Sequence, residues 1–177
     1  MLDIVVYYLM MNFRRILCLV AIIVLVLPGI FLVGCRADDN CNAPHEFELR
    51  VFDLTNQQRE AYGLPLLVWH DKLAVVAREH SRDMDAMGVM SHYGSDGSRA
   101  GDRIANAGIT NIRGWSENVA RGQLTPEVVV NAWMNSPSHR ANILRASSTH
   151  LGVGFVESVG PSRFATYWTQ KFISLEE

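Results

Sequence analysis

Three side chains in this sequence combine a reactive type with a fixed local direction: His92, Glu117 and His139. Imidazole and carboxylate are the usual groups for proton transfer near neutral pH and for holding divalent cations. The best-defined setting is the run Trp133-Met134-Asn135-Ser136-Pro137-Ser138-His139-Arg140-Ala141-Asn142-Ile143-Leu144. A helix is predicted to end near Asn135. Ser136 is a good N-cap and Pro137 a good first helical residue, so a short second helix starts at once. His139 then falls in its first turn, and Ile143, four residues on, shares its face and can tuck into a core. His92 lies in the turn-rich loop Ser91-His92-Tyr93-Gly94-Ser95-Asp96-Gly97. Glu117 lies in the strand-like run Trp115 to Ala120, where alternation aims Trp115, Glu117 and Val119 at one side. A carboxylate among apolar neighbours costs free energy unless it is paired or metal-bound. Glu117 is therefore either a site residue, a structural acceptor of backbone N–H bonds, or both. The three groups are expected to converge on one cleft, their heads within roughly 4–7 Å of one another.

The elements that must position them can be read along the chain. Pro44 opens a first helix whose Phe47, Val51 and Leu54 share a face, and Gly63 ends it. Asn56 and Arg59 on that helix read as capping and packing residues. Leu64 to Trp69 is an extended linker, with Trp69 expected in the core. Asp71 is the expected cap of a second helix, Lys72 to about Met87, stopped by Gly88. Leu73, Val76, Ala77, His80, Met84 and Met87 fall on one stripe, so His80 reads as a buried histidine with one hydrogen-bond partner. Ser98 is the expected cap of a third helix ending at Ala107; its Arg103 is by default a solvated charge, with a pair to Asp83 or Asp85 as the alternative. Thr125-Pro126-Glu127 starts a fourth, with Val129, Val130 and Trp133 on its buried side. Two strands follow, about His150 to Glu157 and Arg163 to Ile173, punctuated by Gly160-Pro161-Ser162 as a hairpin. Phe164, Thr166, Trp168, Gln170 and Phe172 alternate onto one face, and Gly152 and Gly154 mark a close approach of another backbone or helix. Helices followed by paired strands imply an α+β domain, an antiparallel sheet covered by helices.

The amino-terminal segment reads as targeting. Arg14 and Arg15 form a basic region, Ile16 to Val33 runs without a charge, and Leu32-Val33-Gly34-Cys35 has the form of a lipobox. Residues 1–34 are thus expected to be a cleaved signal, Cys35 the lipidated residue and 35–43 a tether. An uncleaved transmembrane anchor is the other reading of this apolar run. Of the three cysteines, Cys18 leaves with the signal and Cys35 carries lipid, so Cys41 has no partner for an intramolecular disulfide. Stability must then come from a core, and residues 44–177 are enough for one domain that buries about two-thirds of its unfolded surface. The net charge of −2, with scattered Lys and Arg, gives no reason to expect nucleic acid as a partner.

Taken together, Thr55-Asn56-Gln57-Gln58-Arg59, Ala77-Arg78-Glu79-His80-Ser81-Arg82-Asp83-Met84, Ser91-His92-Tyr93, Glu117-Asn118-Val119-Ala120, the run from Trp133 to Leu144, Gly152-Val153-Gly154 and Tyr167-Trp168-Thr169-Gln170 resemble the CAP superfamily. That superfamily groups cysteine-rich secretory proteins, antigen 5 and pathogenesis-related 1 proteins; the resemblance is to its short, cysteine-poor bacterial branch. It implies a three-layer α-β-α sandwich with a central antiparallel sheet over residues 44–177. It also implies a cleft where two His and two Glu can bind a divalent metal. His92, Glu117 and His139 match three of these positions, and the second Glu position is occupied by Ser136. A weak, zinc-like site with three protein ligands and water is the implied cofactor, and Ser136 joins the binding cleft.

No HExxH or GxSxG motif is present, and no acid is evident to orient Ser136 or Ser138 beside His139. The expected function is a monomeric, lipid-anchored module outside the cytoplasm that binds a lipid, glycan or peptide without making bonds. The alternative is a metal-dependent hydrolase of the cell envelope.

Overall fold

The computed structural model of the protein describes residues 44–158 and 166–176. The leader, Cys35, Cys41 and the Gly160-Pro161-Ser162 turn lie outside the described residues. The chain divides into two units, Met1–Cys41 and Asn42–Glu177, and all described residues belong to the second.

Helix α1 (Glu46–Ala61) starts two residues later than Pro44 suggests, because His45 caps it. The His45 ring accepts a hydrogen bond from Phe47 N at 3.1 Å, and Glu48 Oε2 accepts one from His45 N at 3.0 Å. Helix α2 (Asp71–Met87) is likewise capped by a histidine, His70, whose Nδ1 accepts from Leu73 N. Asp71, the expected cap, is its first helical residue. Helix α3 (Ala100–Asn106) is capped at Arg99 and not at Ser98; Asp102 Oδ2 accepts from Arg99 N at 2.8 Å. Helices α4 (Pro126–Met134) and α5 (Pro137–Ile143) follow the expected starts, at Thr125 and Ser136. Gly63, Gly88 and Gly108 end helices α1, α2 and α3 with φ near +65°, a conformation that favours a residue without Cβ.

Strands β1 (Val68–Trp69), β2 (Ile112–Arg121), β3 (His150–Glu157) and β4 (Thr166–Leu175) form one sheet in the order β1-β3-β4-β2. The β2–β4 and β3–β4 pairs are antiparallel as expected, whereas the two-residue β1 runs parallel to β3. Trp69 thus sits at a sheet edge. It is half-buried against Phe52, with its indole N–H donated to Asp71 Oδ1 at 2.8 Å, and packs against the margin of the main core.

The sheet is covered on both faces. Leu151, Val153, Phe155, Trp168 and Phe172 meet Val51, Val129, Trp133 and Ile143 from α1, α4 and α5 in the main core. The other face takes α2. A Cβ on Gly152 would sit 2.4 Å from Ala74 N, and one on Gly154 2.2 Å from Arg78 N, so the helix backbone rests directly on the strand. Met84 packs there with Val119 and Tyr167, and Leu73 with Ile104 and Ile173.

Polar groups lock the layers. Arg78 and Glu48 form a buried bidentate pair whose Oε1 also accepts Phe155 N at 3.0 Å. The buried Arg59 guanidinium donates to the carbonyls of Pro65, Ile143, Arg145 and Ser148, clasping α1 to the end of α5. Asn56 pairs with both backbone groups of Leu67. Both residues have the packing role their sequence implies.

Candidate functional site

Edge strand β2 carries the site, and its two faces do different work. Glu117 stands opposite Lys171 in the β2–β4 register, on the α2 side. Asn118 stands opposite Gln170 on the other side and begins a string of hydrogen bonds. Its Nδ2 donates to Gln170 Oε1 at 3.1 Å and to His139 O at 3.2 Å, while Asn142 Nδ2 donates to Asn118 Oδ1 at 2.8 Å and to Glu117 O at 3.2 Å. Gln170 Nε2 donates to Thr55 Oγ1 at 2.7 Å. This string fixes α5 against the edge of β2. Ser136 is half-buried at the start of α5, and its hydroxyl makes no capping hydrogen bond.

The Glu117 carboxylate is 2% exposed and fully engaged. Oε1 accepts from His92 Nδ1 at 2.8 Å, with His80 Nε2 at 3.9 Å. Oε2 accepts from Arg103 at 3.0 Å and from the fully buried Lys171 ammonium. Burial pushes the Glu117 carboxyl upward, but the hydrogen bond from His92 and the Lys171 charge outweigh it and hold it down at about 2. Burial also lowers Lys171 to about 8 against the opposing pull of Glu117. The partners are cationic or proton-donating side chains, not the backbone N–H groups of a structural acceptor. Arg103 binds Glu117 and the carbonyls of Ser98 and His92, and is neither the solvated charge that was the default expectation nor paired with Asp83 or Asp85.

His92 and Glu117 are therefore brought together. His139 is half-buried on α5; burial lowers its pKa, and the charge of His92, within electrostatic reach, lowers it further. His80 is buried as expected and donates from Nε2 to Ser91 O at 2.9 Å. Burial lowers its pKa to about 4, so it is neutral.

A cleft of about 480 Å³ opens over this cluster, walled by His92, Tyr93, Trp115, Ser116, Glu117 and Asn142. From α5 it is Asn142, not His139 or Ser136, that lines it. Trp115 does share the Glu117 side of β2, but it is 44% exposed at the cleft wall, its ring held against Gly101 of α3. Tyr93 is 55% exposed, with Arg99 over its ring at 5.8 Å. Ser116 Oγ is buried and, among the described residues, has no hydrogen-bond partner. Lys171 is absent from the sequence reading, and Arg103 and Asn118 are named there without these roles. The signal for Lys171 was its place on the opposite alternation to Trp168 and Phe172.

A divalent cation does not fit this arrangement. The carboxylate that would ligate it is enclosed by an ammonium, a guanidinium and an imidazole N–H, which repel a cation and occupy its lone pairs. Among the described residues no three His, Cys, Asp or Glu side chains are grouped to hold a metal ion.

Known proteins share this framework. The profile of the cysteine-rich secretory protein family, CAP, matches residues 52–172. The uncharacterized protein YkwD of Bacillus subtilis is 41% identical over 127 residues, which cover 72% of this chain and 47% of that protein. The uncharacterized membrane protein YlbC of the same organism is 34% identical over 126 residues, covering 71% and 34%. The chain thus spans about half or less of these curated relatives. Among solved structures, an extracellular SCP-domain protein from Bacillus anthracis is 33% identical with a TM-score of 0.65, matching 71% of this chain and 39% of that one. An outer surface protein of Borrelia burgdorferi, 20% identical, has a TM-score of 0.66 over 76% of this chain and 97% of its own, a likeness of fold alone.

Proposed function

Because the chain belongs to the CAP family of cysteine-rich secretory proteins, we propose that it is a recognition domain outside the cytoplasm that holds an organic ligand in the β2 cleft. The observation that carries this reading is the neutralised carboxylate. A metal-dependent hydrolase needs Glu117 to hold a cation or activate water. Here Lys171, Arg103 and His92 already take both of its oxygens. Among the described residues, neither His92 nor His139 has a Ser or Thr hydroxyl hydrogen-bonded to a ring nitrogen to serve as nucleophile. What the cleft does offer is two exposed aromatic side chains, Tyr93 and Trp115, and the amide of Asn142. That mixture suits a lipid, glycan or peptide with a flat or ring-shaped part.

The extracellular placement is supported by the charge-free run ending at Leu32-Val33-Gly34-Cys35 and by the Bacillus anthracis relative described as extracellular. Among the described residues no helix is long and apolar enough to cross a membrane. The lipobox ending at Cys35 supports a lipid on that residue as the attachment to the membrane.

The test is native mass spectrometry of the protein purified from cells in detergent, with zinc calorimetry alongside. An organic mass should travel with the wild type and be lost from Trp115→Ala, and zinc should give no saturable heat. Saturable zinc binding abolished by His139→Ala would reverse the conclusion.

A further inference from the structure

We propose, resting on the reading of the β2 cleft as a recognition site, that its ligand is an extended acidic peptide that adds a strand to the open edge of β2 at Trp115. Trp115, Ser116 and Glu117, three consecutive residues of β2, all line the cleft. Trp115 and Glu117 point to the α2 side of the sheet. Ser116 points to the other side, where Asn142 of α5 forms the opposite wall. A cleft that touches all three residues straddles the strand, so its floor is the strand's own backbone. β2 is the last strand of the sheet and pairs with β4 alone.

The register decides which peptide groups that floor presents. Gly122 N donates to Thr166 O at 2.9 Å, so the residues bonded to β4 are the even ones, Ala120, Asn118, Ser116 and Gly114 in turn. The odd residues turn their N–H and C=O groups outward. Two of these carbonyls are already taken: Val119 O accepts the Trp133 indole N–H, and Glu117 O accepts Asn142 Nδ2, each at 3.2 Å. Among the described residues, no group is hydrogen-bonded to the Trp115 N–H, the Trp115 C=O or the Glu117 N–H on this edge. The irregularity between Ile112 and Gly114 ends the regular edge beyond Trp115. What is left is a donor, an acceptor and a donor in line on the floor of an open cleft.

An extended peptide carries the matching acceptor, donor and acceptor along one side, repeating about every 7 Å. A lipid chain offers nothing to these groups, and the hydroxyls of a sugar ring are not spaced along a line. Side chains of such a peptide alternate between the two walls, one set against Trp115 and Tyr93, the other toward Asn142. The walls also set the charge. Arg99, whose guanidinium lies 5.8 Å from the centre of the Tyr93 ring, is exposed at the rim. Among the described residues Glu117 is the one acid in the lining, and it is buried against Lys171 and Arg103. Two cations around one carboxylate and a third at the rim make the cleft positive, and the complement is a carboxylate side chain on the peptide.

The probe is a hexapeptide of alternating glutamate and valine, acetylated and amidated so that its ends are neutral. It is added at millimolar concentration to the full-length protein in detergent. Amide hydrogen exchange, read residue by residue, should slow at least about tenfold at Trp115 and Glu117 as the peptide saturates. The same peptide N-methylated at every residue loses its main-chain donors and should bind at least about tenfold more weakly. Methylation of alternate residues leaves one side of the chain free, and at least one of the two such peptides should bind within about threefold of the parent. Lysine in place of glutamate should weaken binding about tenfold. Arg99→Gln alters only a rim side chain and should weaken it about three- to tenfold. Unchanged exchange at Trp115 and Glu117, full binding by the wholly methylated peptide, failure of both alternately methylated peptides, equal binding of the lysine peptide, or wild-type binding by Arg99→Gln would each overturn the proposal. An organic mass lost from Trp115→Ala while the edge amides exchange freely would keep the recognition site and remove only the strand addition.

Discussion

Removing the charge of Glu117 while keeping its shape isolates what that carboxylate does. In wild type it is the counter-ion of Lys171, whose ammonium has no exposed surface, and of Arg103. Glu117→Gln leaves a buried lysine without its partner, and breaking a buried pair from one side costs roughly 3–5 kcal/mol. For a domain of this size that is a fall in melting midpoint of roughly 10 °C or more. Lys171 can relieve the strain only by losing its proton. Burial already lowers it to about 8, and Glu117 is the group that pulls it back up. Without Glu117 its pKa drops further. The cost should therefore be full near pH 6 and shrink toward pH 9, where the lysine is largely neutral even in wild type. Urea denaturation of the wild type, Glu117→Gln and the double variant Glu117→Gln, Lys171→Met at both pH values checks the reasoning. The double variant should recover most of the loss, because an apolar residue of similar length replaces the stranded charge. A single variant within 1 kcal/mol of wild type, or a double variant no better than the single, would refute it. Glu117 would then be a carboxylate held ready for a ligand.

Acid should unfold the domain in two overlapping steps. His80 is neutral down to about 4 when folded against an ordinary 6.5, so its contribution is complete above pH 6.5 and is lost as pH falls to 4. Glu117, held at about 2 against an ordinary 4.5, adds stability that is present above pH 4.5 and lost toward pH 2. Each step is about 3 kcal/mol, and a urea midpoint at pH 5 equal to that at pH 7 would disprove the first. Trp133→Ala removes a fully buried ring and its bond to Val119 O, and should cost about 3–5 kcal/mol, read from the melting midpoint. Gly154→Ala drives a methyl into the α2 backbone at 2.2 Å and should cost about 3 kcal/mol or more, which chemical denaturation would show. Cys35→Ser should abolish palmitate labelling and release the protein from the membrane fraction; labelling that persists would exclude Cys35 as the anchor.

The positions that the sequence revealed are those with a single physical meaning. Gly63, Gly88 and Gly108 end helices because the backbone there turns to positive φ. Ser136 and Pro137 start α5 because an extended residue followed by a fixed φ suits a helix entrance. The caps at His45 and His70 were hidden because a histidine ring is a rare capping group, and Asp71 offered a commoner one. The parallel strand β1 has only two residues and leaves no period to detect. At the cleft, alternation placed Trp115 and Glu117 on one side, but it could not tell an exposed wall from a core. The pairing of Glu117 with Lys171 depends on the register between strands separated by some 50 residues, and nothing local in either strand records it.

The Arg59 clasp has a consequence for how the chain matures. Its guanidinium has carbonyl acceptors at Ile143, Arg145 and Ser148, the nearest of them 84 residues further along. A chain leaving a ribosome or a translocation channel amino end first exposes the cation long before those acceptors emerge. Until they do, Arg59 keeps its hydration shell, and the last turns of α1 have nothing to close upon. The clasp acts as a check on completeness. A polypeptide cut short before residue 143 should stay open to proteases, while one that has fully crossed a membrane can shut. If the chain is exported unfolded through a pore, as proposed above, that delay would keep it threadable.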